Sequence, residues 1–483
     1  MNIVKVGGVG LVSILLGVGA GLPTDASAQT LATLYSFPGF PGDGAEPQGG
    51  LIADAAGNLY GTAFGGGIGN GYGAIFKLTP TGTETVLHAF NGVDGAGPDG
   101  RLIADAAGNL YGTTTYGGLN FGTVFKLTLN PDGTYSHSIL HNFAGSPSDG
   151  AAPHGLLADA AGNLFVATTA GGPSDCGGTG CGMVIRLTPN LDGTYTESVL
   201  HTFTADNPVP AGFGGSDGQY PFGNLVADGA GNLYGTTYYG GGSDCDGYGC
   251  GTVFKLTASL DGTYSESVVY SFIGGRDGAA PAARLLADAG GNLYGTTTQG
   301  GDDHECLTGC GTVFKLTPNL DGTYSETVIH RFTGGSDGES PYSGLIADAV
   351  GNLYGTAYSG GVFVPGCFRT CGTVFTLSPP GTFAVLHSFN FDDGGNPIAD
   401  LMADAAGNLY GTTTRGGANN WGTVFKLTVS GTFNGVPGMA NCTGQSTSFL
   451  ATEFGGLGHA ATALRFASVA DLQNAVAAYC AGR

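Results

Sequence analysis

Short apolar runs separated by polar turns recur along almost the whole chain. One copy, residues 51–62, reads Leu-Ile-Ala-Asp-Ala-Ala-Gly-Asn-Leu-Tyr-Gly-Thr. Similar copies follow at intervals of roughly 50 to 70 residues, and they begin at Leu102, Leu156, Leu225, Leu285, Leu345 and Leu401. Self-similarity at such a period is typical of repeat proteins, in which each copy is one structural unit.

The copy that begins at Leu102 predicts four strands. Residues 102–104, 110–115, 122–128 and 136–143 run apolar or alternate between apolar and polar, and turn signals such as Asp132-Gly133 separate them. Four antiparallel strands per repeat predict an all-β fold, a seven-bladed β-propeller. A solenoid of parallel coils is the alternative, but its coils are usually shorter and lack such hairpin turns.

The two ends of the repeat array predict a closed ring. The copy that begins at Leu401 has its third strand but no fourth, whereas residues 33–37 (Thr-Leu-Tyr-Ser-Phe) form a strand without a repeat of its own and match residues 199–203. An N-terminal strand that completes the last blade would remove the open sheet edges. A linear array would leave both observations unexplained.

The repeat pattern also resembles a known family. Gly-Asn-Leu-Tyr-Gly-Thr-Thr-x-x-Gly-Gly followed by Gly-Thr-Val-Phe-Lys-Leu-Thr resembles the GloVer tandem repeat of bacterial extracellular proteins, over nearly all of residues 31–428. The third copy departs most, with Phe165-Val166-Ala167 and Met183-Val184-Ile185-Arg186. The resemblance implies a secreted or surface-associated propeller. The Asp-x-x-Gly-Asn-Leu-Tyr turn is similar to that of ligand-binding propellers, an analogy of fold alone.

The chain divides into three segments. Residues 1–28 are typical of a signal peptide, with Lys5, an apolar stretch and the cleavage signal Ala26-Ser27-Ala28. Residues 31–430 form the propeller, and residues 431–483 form a linker and a small α-helical tail with apolar residues at helical spacing. We therefore expect a bacterial protein that is secreted or periplasmic and has no transmembrane segment after cleavage.

Charge limits the possible partners. The chain has 37 acidic and 15 basic residues, a net charge of −22. Nucleic-acid binding requires clustered Lys and Arg, so we expect no nucleic-acid partner, and anionic membranes are disfavoured for the same reason. We expect a monomer.

The ten cysteines form five evident pairs. These are Cys176–Cys181, Cys245–Cys250, Cys306–Cys310, Cys367–Cys371 and Cys442–Cys480. Local pairing behind a signal peptide predicts disulfides formed in an oxidising compartment. Zinc is the alternative, but pairs in separate repeats would have to converge on one ion.

Carboxylates and histidines at regular positions are expected to be structural. Aspartate recurs in every Asp-Gly-x-x-Pro motif and in every turn, where a short side chain can accept backbone hydrogen bonds. Histidine on the fourth strands exchanges with Tyr35 and Tyr270, which indicates packing rather than catalysis. The best local metal candidate is an insert that supplies four potential ligands in a row, namely Asp302, Asp303, His304 and Glu305, and calcium is the divalent cation considered. We expect no other cofactor.

Ligand-binding candidates are the residues that differ between copies. Two loop positions vary, one directly before the Gly-Gly pair and one directly after the loop proline, and we expect both at the mouth of the central channel. The candidates are Tyr116, Tyr239, Gln299, Arg415, His154, Phe222 and Tyr342. Aromatic, amide and charged side chains suit recognition of a sugar or peptide. Drift in unconstrained loops is the alternative explanation.

Three hypotheses for function follow. The first is a non-catalytic binding or scaffold propeller that recognises a glycan, a peptide or a surface protein. The second is an extracellular glycan hydrolase or lyase, although no Gly-x-Ser-x-Gly motif, phosphate-binding loop or singular carboxylate pair supports it. The third is a purely structural envelope protein. We predict no catalytic residues.

Overall fold

The structure, a computed structural model, describes most of residues 29–429. The exceptions are residues 40–41, 68–70, 174–175, 177, 206–214, 243, 302–305, 368–369 and 379–380. The predicted signal peptide, the predicted helical tail with the pair Cys442–Cys480, and the predicted metal ligands Asp302, Asp303, His304 and Glu305 lie outside the described residues.

Seven antiparallel four-stranded sheets make up the fold, one for each copy of the repeat, as predicted. Blade 1 contains β2 (Ile52–Ala53), β3 (Leu59–Ala63), β4 (Ala74–Leu78) and β5 (Glu84–Ala89). Blade 2 contains β6 (Ile103–Ala104), β7 (Leu110–Thr114), β8 (Thr123–Leu129) and β9 (Tyr135–Asn142). Blade 3 contains β10 (Gly150–Ala158), β11 (Leu164–Gly171), β12 (Met183–Pro189) and β13 (Tyr195–Thr202).

The remaining blades repeat this order. Blade 4 contains β14 (Gln219–Ala227), β15 (Leu233–Tyr239), β16 (Thr252–Ala258) and β17 (Tyr264–Ser271). Blade 5 contains β18 (Leu286–Ala287), β19 (Leu293–Thr297), β20 (Thr312–Pro318) and β21 (Tyr324–Arg331). Blade 6 contains β22 (Ile346–Ala347), β23 (Leu353–Ala357), β24 (Thr373–Ser378) and β25 (Thr382–Ser388). Blade 7 contains β26 (Met402–Ala403), β27 (Leu409–Thr413), β28 (Thr423–Thr428) and β1 (Thr30–Ser36).

The N-terminal strand closes the ring. Strand β1 is the outer strand of blade 7 and pairs antiparallel with β28, in a register that places Thr30 opposite Thr428 and Ser36 opposite Thr423. The predicted closure is therefore confirmed, with a strand slightly longer than residues 33–37. Within the described part of the chain, the helical element is the single 3-10 turn Gly275–Asp277, and no helix has the length and apolar character that crossing a bilayer requires.

Pairs of phenylalanines fill the space between successive blades. The Phe that follows a fourth strand packs edge-on against the Phe of the third strand in the next blade; for example, the ring centroids of Phe90 and Phe125 lie 5.3 Å apart. Both rings are buried. Such pairs add about 0.5–1.5 kcal/mol beyond their burial. At blade 3, Phe143 faces the buried Ile185 in the same hydrophobic cluster, which explains the departure of this copy.

The repeated turn is a small hydrogen-bonded unit. Asp105 Oδ1 accepts hydrogen bonds from the backbone amides of Ala107 and Asn109, both at 2.9 Å. Its Oδ2 accepts from Asn109 Nδ2 at 2.7 Å and from the Tyr111 hydroxyl at 3.0 Å. Glycine follows Tyr111 because a Cβ at Gly112 would lie 2.6 Å from the Phe125 ring. Every residue of this motif therefore serves the fold.

Candidate functional site

Each blade sends one loop to the axis of the ring. We call the segment from the Asp-Gly pair to the leucine that begins each copy the axial loop; in blades 3 and 4 this segment is part of β10 and β14. The residue before the proline of this loop has a left-handed backbone conformation even where it is not glycine, as at Tyr220 (φ 55°), Ala280 (φ 56°) and Ser340 (φ 54°). Non-glycine residues seldom adopt this conformation, so the surrounding structure must impose it.

The preceding blade holds each axial loop in place. The Ala280 amide donates to the Cys250 carbonyl at 2.8 Å, and the Ala152 amide donates to the Phe121 carbonyl at 2.9 Å. The acceptor is the second cysteine of a disulfide in four blades and an aromatic residue in the other three, the full set being Tyr72, Phe121, Cys181, Cys250, Cys310, Cys371 and Trp421. A disulfide and an aromatic ring are thus alternative supports for the same loop.

Four of the five predicted cysteine pairs are joined as disulfides. They are Cys176–Cys181, Cys245–Cys250, Cys306–Cys310 and Cys367–Cys371, with Cα–Cα distances between 5.1 and 5.4 Å. Each closes a short loop beside an axial loop. In the chain-entropy description, rings of this size stabilise the fold by about 2 kcal/mol each.

The seven axial loops enclose a cavity of about 430 Å³. The residue directly after the loop proline lines this cavity in every blade, and these residues are Gln48, Asp99, His154, Phe222, Ala282, Tyr342 and Ile398. A second layer precedes the first strand and contributes Gly50, Arg101, Gly155, Asn224, Arg284 and Asp400. The cavity is therefore built jointly by all seven repeats.

The predicted ligand-binding residues separate into two groups. His154, Phe222 and Tyr342 line the cavity. Tyr116, Tyr239, Gln299 and Arg415 do not line it; they lie where the second strands end, for example in the bridge between Ala96 and Tyr116. Tyr116 is 55% exposed there. The sequence suggested one rim, whereas the structure separates these side chains into one set that lines the cavity and one set at the ends of the second strands.

A cluster of tyrosines lies beside the cavity, and two of its members, Tyr342 and Tyr358, line it. We define the tyrosine wall as Tyr220, Tyr238, Tyr239, Tyr248, Tyr342 and Tyr358. The rings of Tyr238 and Tyr239 lie 4.8 Å apart, and those of Tyr342 and Tyr358 lie 5.7 Å apart. Gln299 Nε2 donates to the Tyr238 hydroxyl at 3.3 Å. Burial, and then the neighbouring Tyr238, Tyr358 and Tyr239, raise the pKa of Tyr342 to about 12, so its hydroxyl stays protonated as a donor.

A histidine and an aspartate meet across the boundary between blades 2 and 3. His154 Nδ1 lies 2.8 Å from Asp99 Oδ2, and its ring lies against Phe222 with the centroids 4.3 Å apart. Asp99 Oδ1 has no hydrogen-bond partner among the described residues. This buried oxygen is therefore an acceptor that the described residues leave unused.

Two arginines form the floor of the cavity. Arg284 Nε donates to Asp400 Oδ2 at 3.2 Å, and Asp400 Oδ1 accepts from the Gly344 amide at 2.6 Å. No described residue accepts a hydrogen bond from the Arg101 side chain. Burial lowers the pKa of Arg101, and so does repulsion from Arg284, whereas attraction to Asp400 opposes both. A second cavity of about 310 Å³ lies beyond these arginines.

Sequence reasoning missed this floor. Arg101, Arg284 and Asp400 occupy the position directly before the first strand leucine, where other copies have Gly50, Asn224 and Gly344. The residue type at this position varies, although the position lies between a proline and a leucine that every copy has. Two of the 15 basic residues in the chain fall on it, which is the signal that could have identified it.

Other clusters of ligand-type side chains lie away from the axis. His88, Asp94 and His137 form one group, and His141, Asp149 and Glu197 form another, each with ligand atoms within 4.8 Å. The same contact recurs around the ring, because the aspartate of each Asp-Gly pair contacts the His or Tyr of the fourth strand. For example, His88 Nε2 lies 3.1 Å from Asp94, and the Tyr270 hydroxyl donates to Asp277 at 2.7 Å. This recurrence favours a structural role.

Comparisons with known proteins agree with the repeat. A family model described as the Gloeobacter/Verrucomicrobia repeat matches residues 19–212 and 177–368. A search among curated proteins finds no match. A gluconolactonase from Xanthomonas campestris is 14% identical, with 83% of this chain and 89% of that chain covered and a TM-score of 0.39. A Lactobacillus plantarum protein is 16% identical, with 71% and 84% covered and a TM-score of 0.46. At these values neither structure supports an argument about activity.

Proposed function

The chain belongs to the Gloeobacter/Verrucomicrobia repeat family, and we propose that it is a binding propeller that captures a saccharide in the cavity at its axis. The observation that carries the proposal is the convergence of the varying residues of all seven axial loops on one cavity of about 430 Å³. This volume is within the range of small-molecule sites in proteins. The four disulfides support a location outside the cytoplasm.

The chemistry of the lining favours a sugar. A pyranose has apolar C–H faces and a girdle of hydroxyls, so it needs flat apolar surfaces beside donors and acceptors. Phe222, Tyr342 and Tyr358 supply rings, while Gln48 and Asn224 supply polar groups.

Binding without turnover fits the carboxylates of the lining. Glycoside hydrolysis needs one carboxyl group kept protonated in apolar surroundings and a second that is ionised. Asp99 and Asp400 each contact a basic side chain, His154 and Arg284 respectively. Both carboxyl groups therefore lie beside polar side chains, whereas the acid role needs a carboxyl group in apolar surroundings.

One observation favours a hydrolase as the second candidate. His154 contacts Asp99 through Nδ1 and lines the cavity, which is the arrangement that orients an imidazole as a general base. In that case His154 Nε2 would accept a proton from water or from a substrate hydroxyl.

A glycan array followed by calorimetry tests the proposal. Ala282→Tyr should abolish binding because it places a ring in the cavity, at a position where other blades have Phe222 or Tyr342. Ala384→Tyr is the matched control on the exposed outer face of β25. Binding that both variants retain would contradict an axial site. Release of sugar products by the wild type, lost in His154→Gln, would replace the binding proposal with the hydrolase.

A further inference from the structure

We propose that the bound saccharide carries a carboxylate, as a uronic acid does, and that Arg101 and Arg284 at the floor of the cavity bind this group. The inference rests on the proposed function and deepens it, because it names the class of saccharide.

The charge of the floor is incomplete. Two guanidinium groups share one carboxylate, since Arg284 contacts Asp400 while Arg101 has no acceptor among the described residues. A partly buried guanidinium without a hydrogen-bond acceptor is unfavourable. A ligand carboxylate would supply the acceptor that Arg101 lacks.

The position of Asp400 keeps Arg101 free. Asp400 is fixed from two sides, by Arg284 Nε at 3.2 Å and by the Gly344 amide at 2.6 Å. It is therefore committed to the Arg284 side of the floor. The Arg101 guanidinium is left to present its N–H groups to the cavity that it lines. A planar guanidinium matches a carboxylate with two parallel hydrogen bonds.

Glycines make room for the arginine side chains. A Cβ at Gly50 would lie 3.4 Å from Arg101 Cδ, and one at Gly344 would lie 2.8 Å from Asp400 Oδ1. Larger residues at these two positions would crowd the floor. The copies that lack a long side chain here therefore complement the copies that have one.

The overall charge makes this site selective. The net charge of −22 repels anions from the surface, so general electrostatic attraction cannot account for an acidic ligand. The two arginines line the same cavity as the aromatic rings of Phe222 and Tyr342. An acidic sugar in this cavity could therefore pack against a ring and bind a guanidinium at the same time.

Titration calorimetry with the full-length protein and matched probes tests the inference. The probes are trigalacturonate and its fully methyl-esterified, neutral form. We expect the acid to bind at least about tenfold more tightly, and Arg101→Gln to weaken acid binding by about 10- to 100-fold with less than a twofold effect on the ester. Arg331→Gln, an exposed arginine on β21, is the control and should change neither.

Further outcomes of this experiment show whether the acidic group, the saccharide or the binding function itself is wrong. If acid and ester bind equally, or if Arg101→Gln weakens both alike, the inference is wrong while the binding function stands. If neither saccharide binds but sulfate or phosphate binds in an Arg101-dependent way, the saccharide is wrong and the anion site stands. If none of these probes binds, the inference falls, and a neutral sugar found on the array would preserve the binding function. Arg101→Lys keeps the positive charge, so it controls for misfolding caused by loss of that charge. Lysine cannot form two parallel hydrogen bonds with a carboxylate, so we expect Arg101→Lys to weaken acid binding as well.

Discussion

The imidazole of His154 in blade 3 contacts the carboxylate of Asp99 in blade 2, at 2.8 Å from Nδ1 to Oδ2. The contact joins two adjacent axial loops, each already held by the blade before it. Both side chains retain a little more than one tenth of their exposure, so the pair lies between a surface and a buried ion pair. It therefore links the shape of the cavity to the stability of the ring.

Replacing either partner should show energetic coupling. Asp99→Asn and His154→Gln each disrupt the contact between the imidazole and the carboxylate and should lower the free energy of unfolding by about 1 kcal/mol. The double variant should be less destabilised than the sum, with a coupling energy of about 1 kcal/mol. Chemical denaturation of the four proteins measures this cycle. Strict additivity would show that the contact contributes nothing.

The second prediction concerns pH. Burial, and then repulsion from Asp43, raise the pKa of Glu84 to about 8 from an ordinary value of 4.5. The folded protein therefore binds this proton more tightly than the unfolded chain does. Stability from this group is complete below pH 4.5 and is lost as the pH rises to about 8. Burial and Asp277 raise the pKa of Glu326 to about 7, with the same sign.

Glu84→Gln should remove part of that loss. The variant should gain stability relative to the wild type between pH 5 and pH 8, by on the order of 1 kcal/mol because solvent screens a partly exposed carboxyl. Thermal unfolding across this range measures the difference. Asp132→Asn is the control: hydrogen bonds from Thr134 lower the pKa of Asp132, so its contribution does not vary in this window. A flat difference curve for Glu84→Gln would refute the assignment.

Two glycines with similar backbones test the packing of the axial loops. Gly133 (φ 85°) and Gly155 (φ 63°) are both left-handed, but a Cβ at Gly133 meets nothing within 4 Å, whereas one at Gly155 would lie 1.4 Å from Asn224 Oδ1. Gly133→Ala should cost about 1 kcal/mol from backbone strain alone. Gly155→Ala should cost a further 1–3 kcal/mol, roughly, from crowding. Equal losses would mean that Asn224 moves aside freely.

Closure of the ring predicts a specific cross-link. Thr30 and Thr428 are exposed and face each other across β1 and β28. Thr30→Cys with Thr428→Cys should form a disulfide that stabilises the protein by about 5 kcal/mol, because it closes nearly the whole chain. Peptide mass mapping and thermal unfolding give the two readouts.

The matched control pairs Thr30→Cys with Thr257→Cys, which is the equivalent third-strand position of blade 4. This pair should stay reduced within one molecule. Cross-linking between molecules instead of within one would indicate that β1 is exchanged between chains.

The sequence was sufficient for the fold because each copy carries its own turn, strands and breaks. Asp105, Asn109 and Tyr111 bond to one another, so their spacing identifies a complete local unit. Exchange of histidine with Tyr270 likewise indicated a shared structural contact, and the hydrogen bond to Asp277 is that contact. Local interactions of this kind join residues that lie only a few positions apart in the sequence.

The floor of the cavity could not be derived in the same way. Arg101, Arg284 and Asp400 come from blades 2, 5 and 7, and only closure of the ring brings them together. Alignment of the copies places them at one repeat position, but it does not say which side chains meet across the axis. The tyrosine wall has the same origin, since Tyr238 and Tyr358 contribute from blades 4 and 6.

Amide hydrogen exchange with and without saturating trigalacturonate tests the axial site most directly. We predict protection at short segments far apart in sequence, namely residues 48–50, 99–101, 154–155, 222–224, 282–284, 342–344 and 398–400, because all seven axial loops surround the cavity. Strands on the outside of the blades, such as β9 and β21, should exchange as before. Protection confined to a single blade, or to the outer strands, would contradict a ligand site at the axis.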